Sequence, residues 1–225
     1  MLEVRNEYWH ENEIADLIKF CDFLSDYMFK NVFKENKKDF LKYILNIKDK
    51  ENYPFSEVGY NTLAIAGTGF IEGKDYFNCS IHNEISIRLG DLSIVPCHRL
   101  SYNDLLLGKF KIENNKITGL EAINPVMAVI KTRMKQSNLP HCANCDFIGV
   151  CTGFCLGNSY EISKNFLIPA KEVCQLYKAK ISFLIYKYEK MGLWKVLPEI
   201  QNECNLPHLD YLKALRKKIL SNLEK

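Results

Sequence analysis

Nine cysteines stand at positions 21, 79, 97, 142, 145, 151, 155, 174 and 204 of the 225-residue chain, and four of them fall within fourteen residues. Residues 141–155 read HCANCDFIGVCTGFC: a C-x2-C pair, five residues, a third cysteine, three residues and a fourth. Thiolates are soft ligands, so a run of this density points to a metal ion or an iron–sulfur cluster. Left as ordinary core residues, so many thiols would be an oxidation hazard with no packing benefit. Gly149 and Gly153 lie between them and let the backbone curl and turn amide N–H groups toward sulfur. Structural zinc sites use four ligands, commonly as two C-x2-C pairs, and the C-x3-C half here departs from that pattern. Adding Cys79, Cys97 and Cys174 makes seven candidate ligands, close to the eight thiolates of two 4Fe–4S clusters.

The other reactive side chains carry less. Cys21 lies on the apolar stripe of a helix and reads as a core thiol, and Cys204, near Pro207, reads as unrelated. His82 and His98 flank Cys79 and Cys97; they could hydrogen-bond to sulfur or donate a nitrogen ligand but read as ordinary polar loop residues. Arg88 and Arg99 are placed to balance the negative charge of a thiolate-bound cluster. Gly67-x-Gly69 followed by Gly73 misses the dinucleotide fingerprint by one residue.

The elements that must position these thiols follow from periodicity. Residues 2–8 alternate as a short strand. Ile14, Leu17, Ile18, Cys21, Leu24 and Met28 recur at helical spacing and predict a helix over about 11–33. A second helix is expected over 39–46, and the polar stretch 47–57 with Pro54 is a candidate boundary. Leu63 and Ile65 begin an expected strand. Ile85, Ile87 and Leu89, then Gly90-Asp91, then Leu92 and Ile94, predict a hairpin pairing position 84 with 97. That would bring Cys97 and the chain leading in from Cys79 to one end of the hairpin. Asn124-Pro125 starts a helix that Pro140 should stop. Another runs from Pro169 to Gly192 with Cys174, Tyr177, Ile181, Leu184 and Tyr188 on one face, and a last covers about 208–223.

Composition excludes several classes. Thirty basic against 27 acidic side chains leave a net charge of +3 with no basic block, so no nucleic acid or anionic membrane is called for. The most apolar run, Ile181 to Tyr186, is far short of the roughly 18–20 residues that cross a bilayer. The acidic residues near Met1 stand where a signal peptide has its apolar segment, so a reducing cytoplasm is expected, where crowded cysteines mean metal before disulfides.

The order and spacing of the cysteines resemble the SPASM domains, the carboxy-terminal part of many radical S-adenosylmethionine (SAM) enzymes that modify peptides and proteins. That family's pattern is a cysteine, nine to fifteen residues, a glycine, four residues and a cysteine, then C-x2-C-x5-C-x3-C and a final cysteine. Cys79, Gly90 and Cys97 follow its start with six residues in place of four after the glycine; Cys142, Cys145, Cys151 and Cys155 match its centre, and Cys174 its end. The resemblance implies two auxiliary 4Fe–4S clusters, one on Cys142, Cys145, Cys151 and Cys174, the other on Cys79, Cys97 and Cys155 with three thiolates. It implies an α+β fold: the remnant of a barrel strand and helix over 1–58, with Trp9 at the helix start, a small hairpin and helices built around two clusters over 59–192, and a carboxy-terminal helix over 193–225. A peptide or protein substrate is implied, with the clusters binding it or accepting an electron. The C-x3-C-x2-C motif that binds the SAM-cleaving cluster is absent from the chain, since Cys151-x3-Cys155 is followed by Asn158 where a third cysteine would stand. No catalytic residue is therefore expected here, and the SAM-cleaving half would be on another chain or lost. A zinc-stabilised interaction module and a stand-alone electron-transfer protein are the alternatives.

Overall fold

The computed structural model describes residues 10–45, 63, 85–125, 139–148, 150–151, 155–165, 167–201 and 209–223. In chain order these form α1 (Glu11–Tyr27), α2 (Lys37–Ile44), β1 (Ser86–Arg88), β2 (Ser93–Val95), β3 (Gly108–Glu113), β4 (Lys116–Ala122), α3 (Pro140–Ala143), α4 (Leu156–Ser163), α5 (Lys171–Lys190), α6 (Leu197–Gln201) and α7 (Leu209–Leu223). The fold is α+β. The chain divides into two units: Met1–Asp75, Asn144–Thr152 and Lys171–Lys225 make the first, and Tyr76–Ala143 and Gly153–Ala170 the second. The expected strand at 2–8, Trp9, the polar stretch 47–57, Ile65, Cys79, His82, Cys204 and most of the helix expected after Pro125 lie outside the described residues.

Among the described residues, the regular elements of the first unit are helices. Glu13 accepts from the His10 N–H at 2.7 Å and closes the first turn of α1, whose Leu17, Cys21 and Ser25 are buried. A π-helical turn, Met28–Val32, continues α1 to Phe33. Asn36 then caps α2, its side-chain oxygen accepting the N–H groups of Lys38 and Asp39, both at 3.1 Å. Helix α5 buries Val173, Leu176, Lys180, Ile181, Leu184, Ile185 and Tyr188. It packs on α1, where Lys187 bridges Asp22 at 2.7 Å and Asp26 at 2.8 Å. It ends where Gly192 takes a left-handed φ of +68°, which a side chain would strain. Two sequence expectations change here. Leu63 is helical rather than extended; it is fully buried and its carbonyl accepts from the Tyr188 hydroxyl at 2.8 Å. The buried stripe of α5 is centred on Val173 and Leu176, which leaves Cys174 and Tyr177 half-buried at its edge.

The second unit carries one antiparallel sheet in the order β1-β2-β3-β4. Ser86 pairs with Val95 and Arg88 with Ser93, the register expected for the first hairpin, but the turn spans four residues, 89–92, with Leu92 at φ 56°. Asp91 is the reason: it accepts from the Arg88 guanidinium and, at 3.2 Å, from the Ser93 N–H, and these bonds hold its carboxyl well below the usual range. The second hairpin, β3–β4, turns at Asn114-Asn115 with φ of 51° and 58°, the left-handed pair that tight hairpins need. Pro140 opens α3, because a proline at the first helical position loses no hydrogen bond.

Candidate metal centres

In the first unit the loop carrying Cys145 and Cys151 is wound by consecutive turns. The Ile148 N–H reaches the Cys145 carbonyl at 3.1 Å, and the Val150 and Cys151 N–H groups reach the Phe147 carbonyl at 3.0 and 2.7 Å. Helix α7 anchors it: Lys218 pairs with Asp146 at 2.6 Å, and the Tyr211 hydroxyl donates to the Asp146 carbonyl. Cys174, from the first turn of α5, comes back to this loop. Its thiol is pushed up to about 11, first by burial and then by the charges of Cys151 and Cys145, with Lys178 opposing. Cys174 thus lies close enough to feel both thiols of the loop. Lys180, 6% exposed and 5.5 Å from the Tyr177 ring, feels both Cys21 and Cys151; burial lowers its pKa and the two thiols oppose that. Cys21 is fully buried and its thiol is pushed up to about 11 by desolvation, in keeping with a core thiol.

In the second unit Cys97 follows β2 and Cys155 immediately precedes α4, both half-buried. The residue two beyond each meets the other's neighbour: a Cβ on Gly157 would fall 2.5 Å from the Cβ of Arg99. Only glycine allows that approach. Arg99 continues across α4 to pair with Glu161 at 2.5 Å, and the Tyr160 hydroxyl donates to the Asp104 carboxylate. Tyr102 packs on Tyr160 with ring centroids 4.8 Å apart. The start of α4 is thus held against the chain that follows Cys97. Cys142 is buried in α3 of this same unit, its N–H bonded to the Leu139 carbonyl at 2.9 Å.

The structure therefore brings Cys145, Cys151 and Cys174 together in one unit and draws the chain at Cys97 to that at Cys155 in the other. Among the described residues, no three Cys, His, Asp or Glu side chains stand in the mutual geometry of a single-ion site. A cluster makes a different demand, since each of its irons takes its own thiolate. One observation fits such a group: Asn158 Oδ1 and Ser159 Oγ, just beyond Cys155, are buried without a hydrogen-bond partner. Both expected charge-balancing arginines have carboxylate partners instead, Arg88 with Asp91 and Arg99 with Glu161, and His98 is exposed. Sequence reading missed Lys180, although a lysine four residues from both Leu176 and Leu184 stands on the apolar stripe itself. It also missed α4, whose Gly157-Asn158-Ser159 start resembles a loop in composition.

Gly157→Ala should cost about 1–3 kcal/mol by overpacking, because the atom it meets is a Cβ fixed to backbone and cannot swing away. Gly90→Ala, with nothing within 4 Å, should stay within about 0.5 kcal/mol of the wild type in the same denaturant titration. Equal midpoints for the two variants would contradict the close approach at Arg99.

Compared with known proteins, the chain matches no family model, no curated protein and no solved structure.

Proposed function

We propose that the chain is the auxiliary-cluster portion of a radical SAM/SPASM enzyme that modifies a peptide or protein in a reducing cytoplasm, with the SAM-cleaving half on another chain or lost. The observation that carries this reading is the return of Cys174, about twenty residues on, to the loop bearing Cys145 and Cys151. In the same reading Cys142 completes that set, and Cys155 joins Cys97 and Cys79 at the other cluster. Bound clusters would supply one-electron transfer and Lewis-acidic iron. The chain's own part would be to hold them. Tyr211 and Lys218 fix the loop at Asp146, Arg99 and Gly157 fix the start of α4, and Lys180 places a buried amino group within electrostatic reach of Cys151. Among the described residues no helix is long and apolar enough to cross a membrane.

Two experiments test this. Cys151→Ser and Cys155→Ser should each remove about half the iron and half the visible absorption of anaerobically reconstituted protein, since one thiolate belongs to each cluster. Loss of all iron in both variants, or of none, would contradict two separate centres. Incubated with SAM and a strong reductant, the chain alone should release no 5′-deoxyadenosine above background, because no C-x3-C-x2-C motif leaves an iron open to SAM. Clear SAM-dependent turnover would assign the catalytic role to an auxiliary cluster.

A further inference from the structure

We propose that Asn158 is the fourth protein ligand of the cluster held through Cys155, binding one iron with its side-chain oxygen. This rests on the two-cluster reading above and deepens it. Seven thiols serve eight iron positions, so one iron of that cluster has no cysteine. Cys155 is the N-cap of α4, with no cap bond from its side chain. Asn158 and Ser159 stand three and four residues on, the two spacings that share a helix face with the residue at the cap. Helical side chains tilt toward the N-terminus, so both are directed back toward the Cys155 end.

Asn158 is 6% exposed and Ser159 fully buried, yet Asn158 Oδ1 and Ser159 Oγ meet no hydrogen-bond partner. A buried, unsatisfied oxygen costs about 1–3 kcal/mol, and two adjacent ones on one face call for a common ligand in that space. The first-turn N–H groups and the positive end of the helix favour an anionic group there, as a thiolate-bound cluster is. Their chemistry then divides. An amide oxygen offers only lone pairs, which suit iron and not sulfide, whereas the Ser159 hydroxyl can donate to sulfur. Cys155-x2-Asn158 also repeats the spacing of the Cys142-x2-Cys145 pair. Of the two spare thiols, Cys21 is packed in the stripe of α1, and Cys204 lies outside the described residues. A neutral, hard oxygen holds such an iron weakly beside thiolates. Coordination moves no electrons and releases no proton, so a substrate thiolate or amine could displace the amide and bind in its place.

The test uses the full chain, reconstituted anaerobically and reduced, with cyanide as the exogenous ligand. Carbon-13 cyanide is titrated and its hyperfine coupling to the cluster is followed by paramagnetic resonance. Asn158→Leu should bind cyanide at least tenfold more tightly than the wild type, because no ligand has to leave, and Asn158→Cys should bind none, because a thiolate closes the site. Equal affinity in the wild type and Asn158→Leu, or no binding in either, would overturn the proposal. Should Asn158→Leu fail to assemble, the comparison of Asn158→Cys with the wild type decides: cyanide bound equally by both means that position 158 does not reach the iron. A wild-type chain with no iron and sulfide at all would instead sink the two-cluster reading, and this proposal with it.

Discussion

Cys174→Ala is expected to lose about half the iron and to unfold the region around the 145–151 loop. Structural metal in small cysteine-rich modules contributes on the order of 10 kcal/mol, as much as the whole net stability of a typical domain. Among the described residues, the loop's backbone bonds close consecutive turns, and its anchors include the Tyr211 hydroxyl and the half-exposed Lys218–Asp146 pair. An ion pair at that exposure is worth about 0–1 kcal/mol. Alanine at 174 removes the proposed ligand that returns to the loop from α5, so the effect should far exceed that of a lost half-buried side chain. Limited proteolysis and iron analysis check it together. An iron-free Cys174→Ala protein with wild-type protease resistance would show that metal has no structural role.

The second large effect belongs to packing alone. Phe40 on α2 is fully buried, with ring centroids of Phe33 at 5.1 Å, Phe29 at 5.5 Å and Tyr43 at 6.5 Å, and with Tyr188 edge-on at 5.8 Å. Phe40→Ala should cost about 3–5 kcal/mol, the transfer term plus a cavity that four aromatic neighbours cannot close. Phe23→Ala, 64% exposed on α1, should stay within about 0.5 kcal/mol. Chemical denaturation monitored by circular dichroism measures both. Iron per folded protein should be unchanged in each, which separates a core effect from a ligand effect; comparable midpoints for the two variants would contradict the aromatic core.

How much of this was legible before the coordinates depends on the element. The first hairpin's register followed from Ile85, Ile87 and Leu89 alternating up to Gly90-Asp91, because period two leaves no choice once the turn is centred. Its turn length did not follow, since it is set by the Asp91 side chain accepting from Arg88 and Ser93. The second hairpin was overlooked. Its Phe110, Ile112, Ile117 and Leu120 are too few and too exposed to make a strong pattern, and Asn114-Asn115 is the signal that would have found it. Helix α5 was read to its Gly192 end, but its face was rotated: Cys174 and Tyr177 sit at the edge of a stripe that takes in Lys180, whose amino group lies 5.5 Å from the Tyr177 ring and feels Cys21 and Cys151. The candidate site divides the same way. Cysteine spacing carries the candidate ligands, whereas the approach of Gly157 to Arg99 and the burial of the Asn158 and Ser159 oxygens are set by tertiary packing.

The most direct test of two iron–sulfur clusters is the iron, acid-labile sulfide and zinc content of anaerobically purified chain, with its absorption spectrum. The account predicts brown protein with about eight irons and eight sulfides per chain and little zinc. About one zinc per chain and no sulfide would contradict it.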